Sequence, residues 1–313
     1  MENELAKEKE RNRPNNLPLN RCKSLKIRKQ TQNDCWAHAS ISAILVCLRF
    51  IGNKNLKTKD GNIIKLTLDP EDPNDHELIL NYFEKEYKEF FEKGMNNLIL
   101  KKILEQEANW NISMSNFKKN GERFTIPDIS ELLKQPGIGI TIAINLTRYD
   151  MGVFAQYMNS LSNNHPFLPD TNFNKSLLPI PSCIQSHVMT IINEGISTKN
   201  KEKYFLIKNS WGEKWGNGGY FRIKHKSFEK IFQNDNSYNF NVFEVNERGK
   251  EIIHIRSLLE VLNVELNIKQ INRKAYNEQK KLLNNRLRFF ENNTKSDKLN
   301  NKNSKNRNDG ISK

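Results

Sequence analysis

The sequence predicts an α+β fold, a helical part followed by a part built of short strands. Three observations predict it. Apolar residues recur at helical spacing in blocks between Cys35 and Lys134. Short runs rich in β-branched and aromatic residues prevail from Ile138 to Val245. Between two of those runs, Tyr204–His225 reads YFLIKNSWGEKWGNGGYFRIKH, a turn holding two tryptophans and four glycines.

Each element has its own signal. Asp34 stands where an N-cap belongs, its carboxylate able to accept bonds from the orphan N–H groups of a helix that starts at Cys35 and continues through the apolar run Ile41–Phe50. Asp75–Glu92 and Leu98–Gln106 carry Leu, Phe, Tyr and Ile at helical intervals, and Pro127–Lys134 has proline in its first turn. The expected strands are Ile138–Leu146, His187–Ile192, Tyr204–Ile207, Tyr220–Lys224 and Phe240–Val245, with Asn159–Ser182 as a polar, proline-dotted loop. Ile252–Leu266 reads as an amphipathic helix that docks on the body.

Chemistry enters through three residues. Cys35 at a helix N-terminus feels the positive end of the helix dipole, which favours thiolate. His187 opens an apolar strand, and Asn209 sits where the Tyr204–Ile207 strand leaves the sheet, beside Trp211. An asparagine held there and roofed by indole can fix an imidazole in one tautomer. The order is Cys, His, Asn, with intervals of 152 and 22 residues.

These blocks resemble the papain family of cathepsin-like, C1-type cysteine peptidases. Gln-x-x-x-x-Cys-Trp-Ala at Gln30–Ala37 resembles the nucleophile block, Ser-His-Val-x-x-Ile-Ile at Ser186–Ile192 the histidine strand, and Lys208–Tyr220 the asparagine block with its turn. Gln135–Tyr157 resembles, more loosely, the first barrel strand and the segment after it. The resemblance implies a papain-like two-lobe fold, with a helical left lobe and an antiparallel β-barrel-like right lobe, and a peptidase that cleaves peptide or protein substrates through a thioester, without a cofactor or metal. Cys35 would be the nucleophile, His187 the proton carrier in an ion pair with it, Asn209 the orienting group and Trp211 its shield. The oxyanion donors would be the Cys35 backbone N–H and a glutamine amide. The family's glutamine stands six residues before the cysteine, where this chain has Lys29, so the donor is Gln30 or Gln32, with Gln30 preferred.

Blander readings stand beside these. His38, one residue past Cys-Trp-Ala, reads as helix packing rather than chemistry. Cys35, His38, Cys183 and His187 could formally ligand zinc, but the peptidase blocks already account for them. With Cys35 set aside, Cys22, Cys47 and Cys183 leave an odd number, which argues against a disulfide framework. A catalytically silent papain-like binding module remains open, because the glutamine loop is shortened and the family's substrate-pocket glycine pair has no clear counterpart.

The ends differ in character from the middle. The net charge of +14 divides as +4 over Met1–Asp34, +8 over Asn272–Lys313 (twelve basic against four acidic residues) and about +2 between. The chain divides into four regions: a basic N-terminal extension (1–26), the peptidase domain (27–250), an accessory helix (251–271) and a basic Asn/Lys-rich disordered tail (272–313). Basic tails can contact polyanions, although such low-complexity ends are commonly only disordered. Met1–Asn16 lacks the apolar core of a secretory signal and no run approaches a transmembrane span, so a cytoplasmic or nuclear setting is expected, without a long inhibitory propeptide.

Overall fold

The computed structural model describes residues 34–292 apart from 70–71, 73, 94–96, 117, 119, 148–183, 198–200, 213, 233–237 and 269. Helix α1 spans Cys35–Ile51. It stops at Gly52, whose φ of 68° is left-handed, and Gly52 N–H bonds the Leu48 and Arg49 carbonyls. A two-stranded ribbon comes next, β1 (Asn55–Lys57) antiparallel to β2 (Ile63–Lys65). Then come α2 (Asn74–Glu86), α3 (Lys88–Lys93) and α4 (Asn97–Gln106). The single helix expected over Asp75–Glu92 is therefore two. The break falls at Tyr87, whose hydroxyl bonds buried Glu107 at 2.9 Å, the same carboxylate oxygen that accepts the Tyr82 hydroxyl.

The second lobe is a six-stranded antiparallel sheet among the described residues. Its strands are β3 (Ile112–Ser115), β4 (Gly139–Thr147), β5 (Ile184–Ile196), β6 (Lys203–Lys208), β7 (Tyr220–Lys224) and β8 (Tyr238–Val245), in the order β3-β8-β4-β5-β6-β7. Helix α5 (Ile126–Leu132) enters through a capping box between Thr125 and Asp128, with Pro127 in its first turn, and α6 (His225–Phe232) comes directly after β7. Each lobe has its own core. Ile41, Ile44, Leu48, Phe83 and Trp110 anchor one, and Ile140, Ile142, Phe205, Ile207 and Phe221 the other. The expected α+β class holds, with the helical part and the antiparallel sheet in the expected chain order.

Helix α1 lies against β4 and β5, so the element carrying Cys35 abuts the strand carrying His187. Gly139 permits this approach: a Cβ there would stand 2.7 Å from Ala43 Cα on α1, far inside contact distance.

Beyond the sheet, α7 (Glu247–Asn267) starts at Asn246, whose Oδ1 accepts Gly249 N–H at 2.9 Å, and it docks through buried Ile252 and Ile255. The expected disorder of 272–313 needs correction in part, because Arg273–Asn292 is a helix, α8. It returns along α7, with Arg286 pairing Glu251 at 2.5 Å and Tyr276 bonding Asn263 at 2.6 Å. Tyr276, Leu283, Leu287 and Phe290 repeat at helical spacing inside a composition dominated by Asn, Lys and Arg. Residues 1–33 and 293–313, with most of the two basic ends, lie outside the described residues, as does the Asn159–Ser182 segment. Among the described residues, no helix is long and apolar enough to cross a membrane.

Candidate active site

Cys35 occupies the first position of α1, where backbone N–H groups point forward without helical partners. The capping expectation for Asp34 fails in detail. Its main-chain carbonyl accepts from Ala37 and His38 N–H at 2.9 and 3.2 Å, but its side chain makes no capping bond. The carboxylate turns instead to His38, 3.4 Å from Nε2. Cys35 is only 8% exposed, and its thiol bonds the backbone of Val188, the residue after His187. Burial pushes the thiol up, and bonds from the Val188 and Trp36 backbone oppose that only in part, while the charge of Asp34 adds to the rise.

His187 lies on β5, opposite Ile144 of β4, and is buried. Its Nε2 stands 2.6 Å from Asn209 Oδ1. The same oxygen accepts Ser210 N–H at 2.8 Å, which fixes it as the oxygen and not the amide nitrogen. His187 therefore carries its proton on Nε2 when neutral, and its Nδ1 is the basic atom. Asn209 is itself held by its N–H to Gly219 O at 3.0 Å, where the turn after β6 closes back before β7.

That turn builds the roof. Trp211 stacks on the imidazole, ring centroids 4.6 Å apart, and Trp215 meets Trp211 edge-on at 5.3 Å. Trp215 also packs on Phe221 of β7 at 5.7 Å, which ties the roof to the sheet core. Gly216 takes φ 60° with Tyr220 O where a Cβ would have to sit, so this position accepts no other residue without moving β7. The result is a dry imidazole: burial pulls His187 down to about 4, partly offset by its bond to Asn209.

The structure brings Cys35, His187, Asn209 and Trp211 to one place, with unequal contacts. His187 touches Asn209 and Trp211 directly. Cys35 reaches the group through Val188, and among the described residues no hydrogen bond joins thiol to imidazole. No thiol–imidazole hydrogen bond stands behind the resting ion pair implied by the resemblance, and burial, which raises the thiol and lowers the imidazole, favours the neutral forms. Gln30 and Gln32 lie outside the described residues, as does Cys183.

His38 is more than helix packing. Its Nδ1 stands 3.0 Å from His76 Nε2, the two rings stack with centroids 5.2 Å apart, and Asp34 faces its other nitrogen. The partner is 38 residues away on a different helix, and no spacing in the sequence signals the contact. Among the described residues no group of three or more His, Cys, Asp or Glu side chains is placed to hold a metal ion.

Residues 172–240, which include His187 and Asn209 but not Cys35, match the family model described as papain family cysteine protease. Over 38 residues the chain is 58% identical to a senescence-specific cysteine protease, SAG12, of Arabidopsis thaliana, covering 12% of this chain and 11% of the relative. Over 75 residues it is 33% identical to silicatein of Petrosia ficiformis, covering 23% and 20%. The chain thus spans a fifth or less of the length of these curated relatives. A bromelain protease from Ananas comosus, solved with the E64 inhibitor, aligns at TM-score 0.42 and 16% identity over 71% of this chain and 94% of that one. The family model thus covers two of the three blocks that carry the resemblance, the histidine strand and the asparagine block with its turn.

Proposed function

We propose that this papain-family segment serves a cysteine peptidase that hydrolyses peptide bonds of a peptide or protein substrate through a thioester. The observation that carries the proposal is the His187–Asn209 bond at 2.6 Å, with Ser210 N–H on the same oxygen. It leaves His187 Nδ1 as the base on the strand that also contacts the Cys35 thiol. In this reading Nδ1 takes the thiol proton and the sulfur attacks the peptide carbonyl carbon. The carbonyl electrons move onto oxygen, where Cys35 N–H and the amide of Gln30 would stabilise them. Collapse expels the amine, protonated by His187. Water then gives a proton to His187 and adds to the thioester, and Cys35 leaves as the thiolate. Asn209 keeps the ring in the tautomer both half-reactions need, and Trp211 keeps water from that bond.

One observation favours a second reading, a papain-like module that binds peptide without cleaving it. Cys35 and His187 are 8% and 3% exposed, and burial favours their neutral forms. Hydrolysis of a fluorogenic peptide library by the reduced full-length chain separates the two. The peptidase reading expects turnover that Cys35→Ala abolishes and Asn209→Ala reduces. Peptide binding with no turnover in the wild type supports the silent module.

A further inference from the structure

Helix α1 is fastened to the sheet along a single face. Cys35, Ala39 and Ser42 recur at i, i+4 and i+7, so they line one side of the helix. Each meets a different sheet position. The Cys35 thiol contacts the Val188 backbone, Thr190 Oγ1 donates to Ala39 O at 3.1 Å, and Lys208 Nζ donates to Ser42 Oγ at 3.1 Å. Ser42 Oγ in turn donates to His38 O at 2.9 Å, which carries the last tie back into the helix backbone. Thr190 and Lys208 are direct partners across β5 and β6. Lys208 is also the residue immediately before Asn209.

The third tie is chemically expensive. Lys208 is 6% exposed, and no carboxylate is paired with it among the described residues. Burial, aided by the charge of Arg49, pulls its ammonium down to about 7. Arg49 lies near Asp69 and Asp75, while His38 of α1 and His76 of α2 line the same cavity as Lys208. That cavity is about 10 Å³, at most the room of one water. A methionine would fill the space without the cost of burying an amine, so stability alone does not call for lysine here.

We propose that Lys208, through its bond to Ser42, is a positioning residue that holds the Cys35 helix in register with the strand ends bearing His187 and Asn209. The inference rests on reading those three residues as one site. The tie sits two turns along α1 from Cys35 and one residue from Asn209. A helix released there can slide or roll against the sheet, and a displacement of about 1 Å at reacting groups costs on the order of 10²-fold in rate.

The test compares the reduced full-length wild type with Lys208→Met, Ser42→Ala and the double variant. Three readouts are taken: the pH profile of Cys35 carboxymethylation by iodoacetate, the urea midpoint, and peptide turnover. The proposal expects Lys208→Met to keep or raise the urea midpoint while slowing carboxymethylation at neutral pH at least tenfold and moving its profile to higher pH. The double variant should be no slower than the slower single one, because both changes remove the same tie. A Lys208→Met profile that superimposes on the wild type overturns the proposal, whether or not the wild type cleaves peptide. So does a urea midpoint that falls in step with reactivity, which would mark Lys208 as merely structural. A shifted profile in a protein that cleaves no peptide upholds the positioning role and removes the peptidase reading alone.

Discussion

Acidification should loosen this protein through His187 in a way a single substitution can isolate. The imidazole is buried under Trp211, and burial pulls it from 6.5 to about 4. A depressed folded-state value means that the unfolded chain binds the extra proton first as pH falls. The contribution to stability is therefore complete above pH 6.5 and is lost as pH drops towards 4. Each tenfold change in proton affinity is worth about 1.4 kcal/mol, so the span corresponds to about 3 kcal/mol. His187→Gln keeps an amide donor for Asn209 but has nothing to titrate. Urea unfolding of both proteins from about pH 7 to about pH 4 should show the wild type losing about 3 kcal/mol more than the variant. Carboxylates titrate in both proteins and cancel in the difference. Parallel stability curves would refute the reasoning, since they would mean that the ring is wet enough to protonate in the folded state.

Three further outcomes are expected from contacts elsewhere. Tyr82→Phe removes one of two hydroxyls from buried Glu107 and should cost about 1–3 kcal/mol in urea unfolding, because the carboxylate loses a donor it cannot replace with water. Gly139→Val drives a side chain into the Ala43 backbone and should destabilise by at least about 1–3 kcal/mol, with thermal unfolding as the check. Trp211→Ala wets the imidazole, and an NMR titration should find His187 moved up towards its ordinary value.

How much of the molecule is legible in the chain depends on the range of the interaction that decides each feature. The Cys35 helix and the strands around His187, Tyr204, Tyr220 and Phe240 are declared by local pattern, and the structure has them near the expected residues. The placing of Asn209 at a strand end, two residues before Trp211, is readable because the glycine-rich turn encodes it within a short stretch of chain. Features set across the fold are not readable. The Asp75–Glu92 run looks like one helix until Glu107 draws the Tyr82 and Tyr87 hydroxyls together. Strand β3 is four residues, ISMS, and owes its existence to pairing with β8. Helix α8 is masked because its Asn- and Lys-rich composition outweighs the periodicity of Tyr276, Leu283, Leu287 and Phe290. The protonation balance of the site escapes the sequence for a related reason. A helix N-terminus is visible in sequence, but the burial that raises the Cys35 thiol is set by the packed fold, and the Val188 backbone that partly opposes it lies far along the chain. The His38–His76 and Lys208–Ser42 contacts join segments that share no motif.

The central proposal is that Cys35 is a nucleophile served by His187 and Asn209. The most direct measurement is exposure of the reduced full-length chain to an irreversible epoxide probe for cysteine peptidases, with intact-mass and peptide-level mass spectrometry. One adduct is expected, on Cys35, absent from Cys35→Ala and formed more slowly in Asn209→Ala. A folded wild type that stays unlabelled at Cys35, or labels there equally fast without Asn209, would contradict the claim.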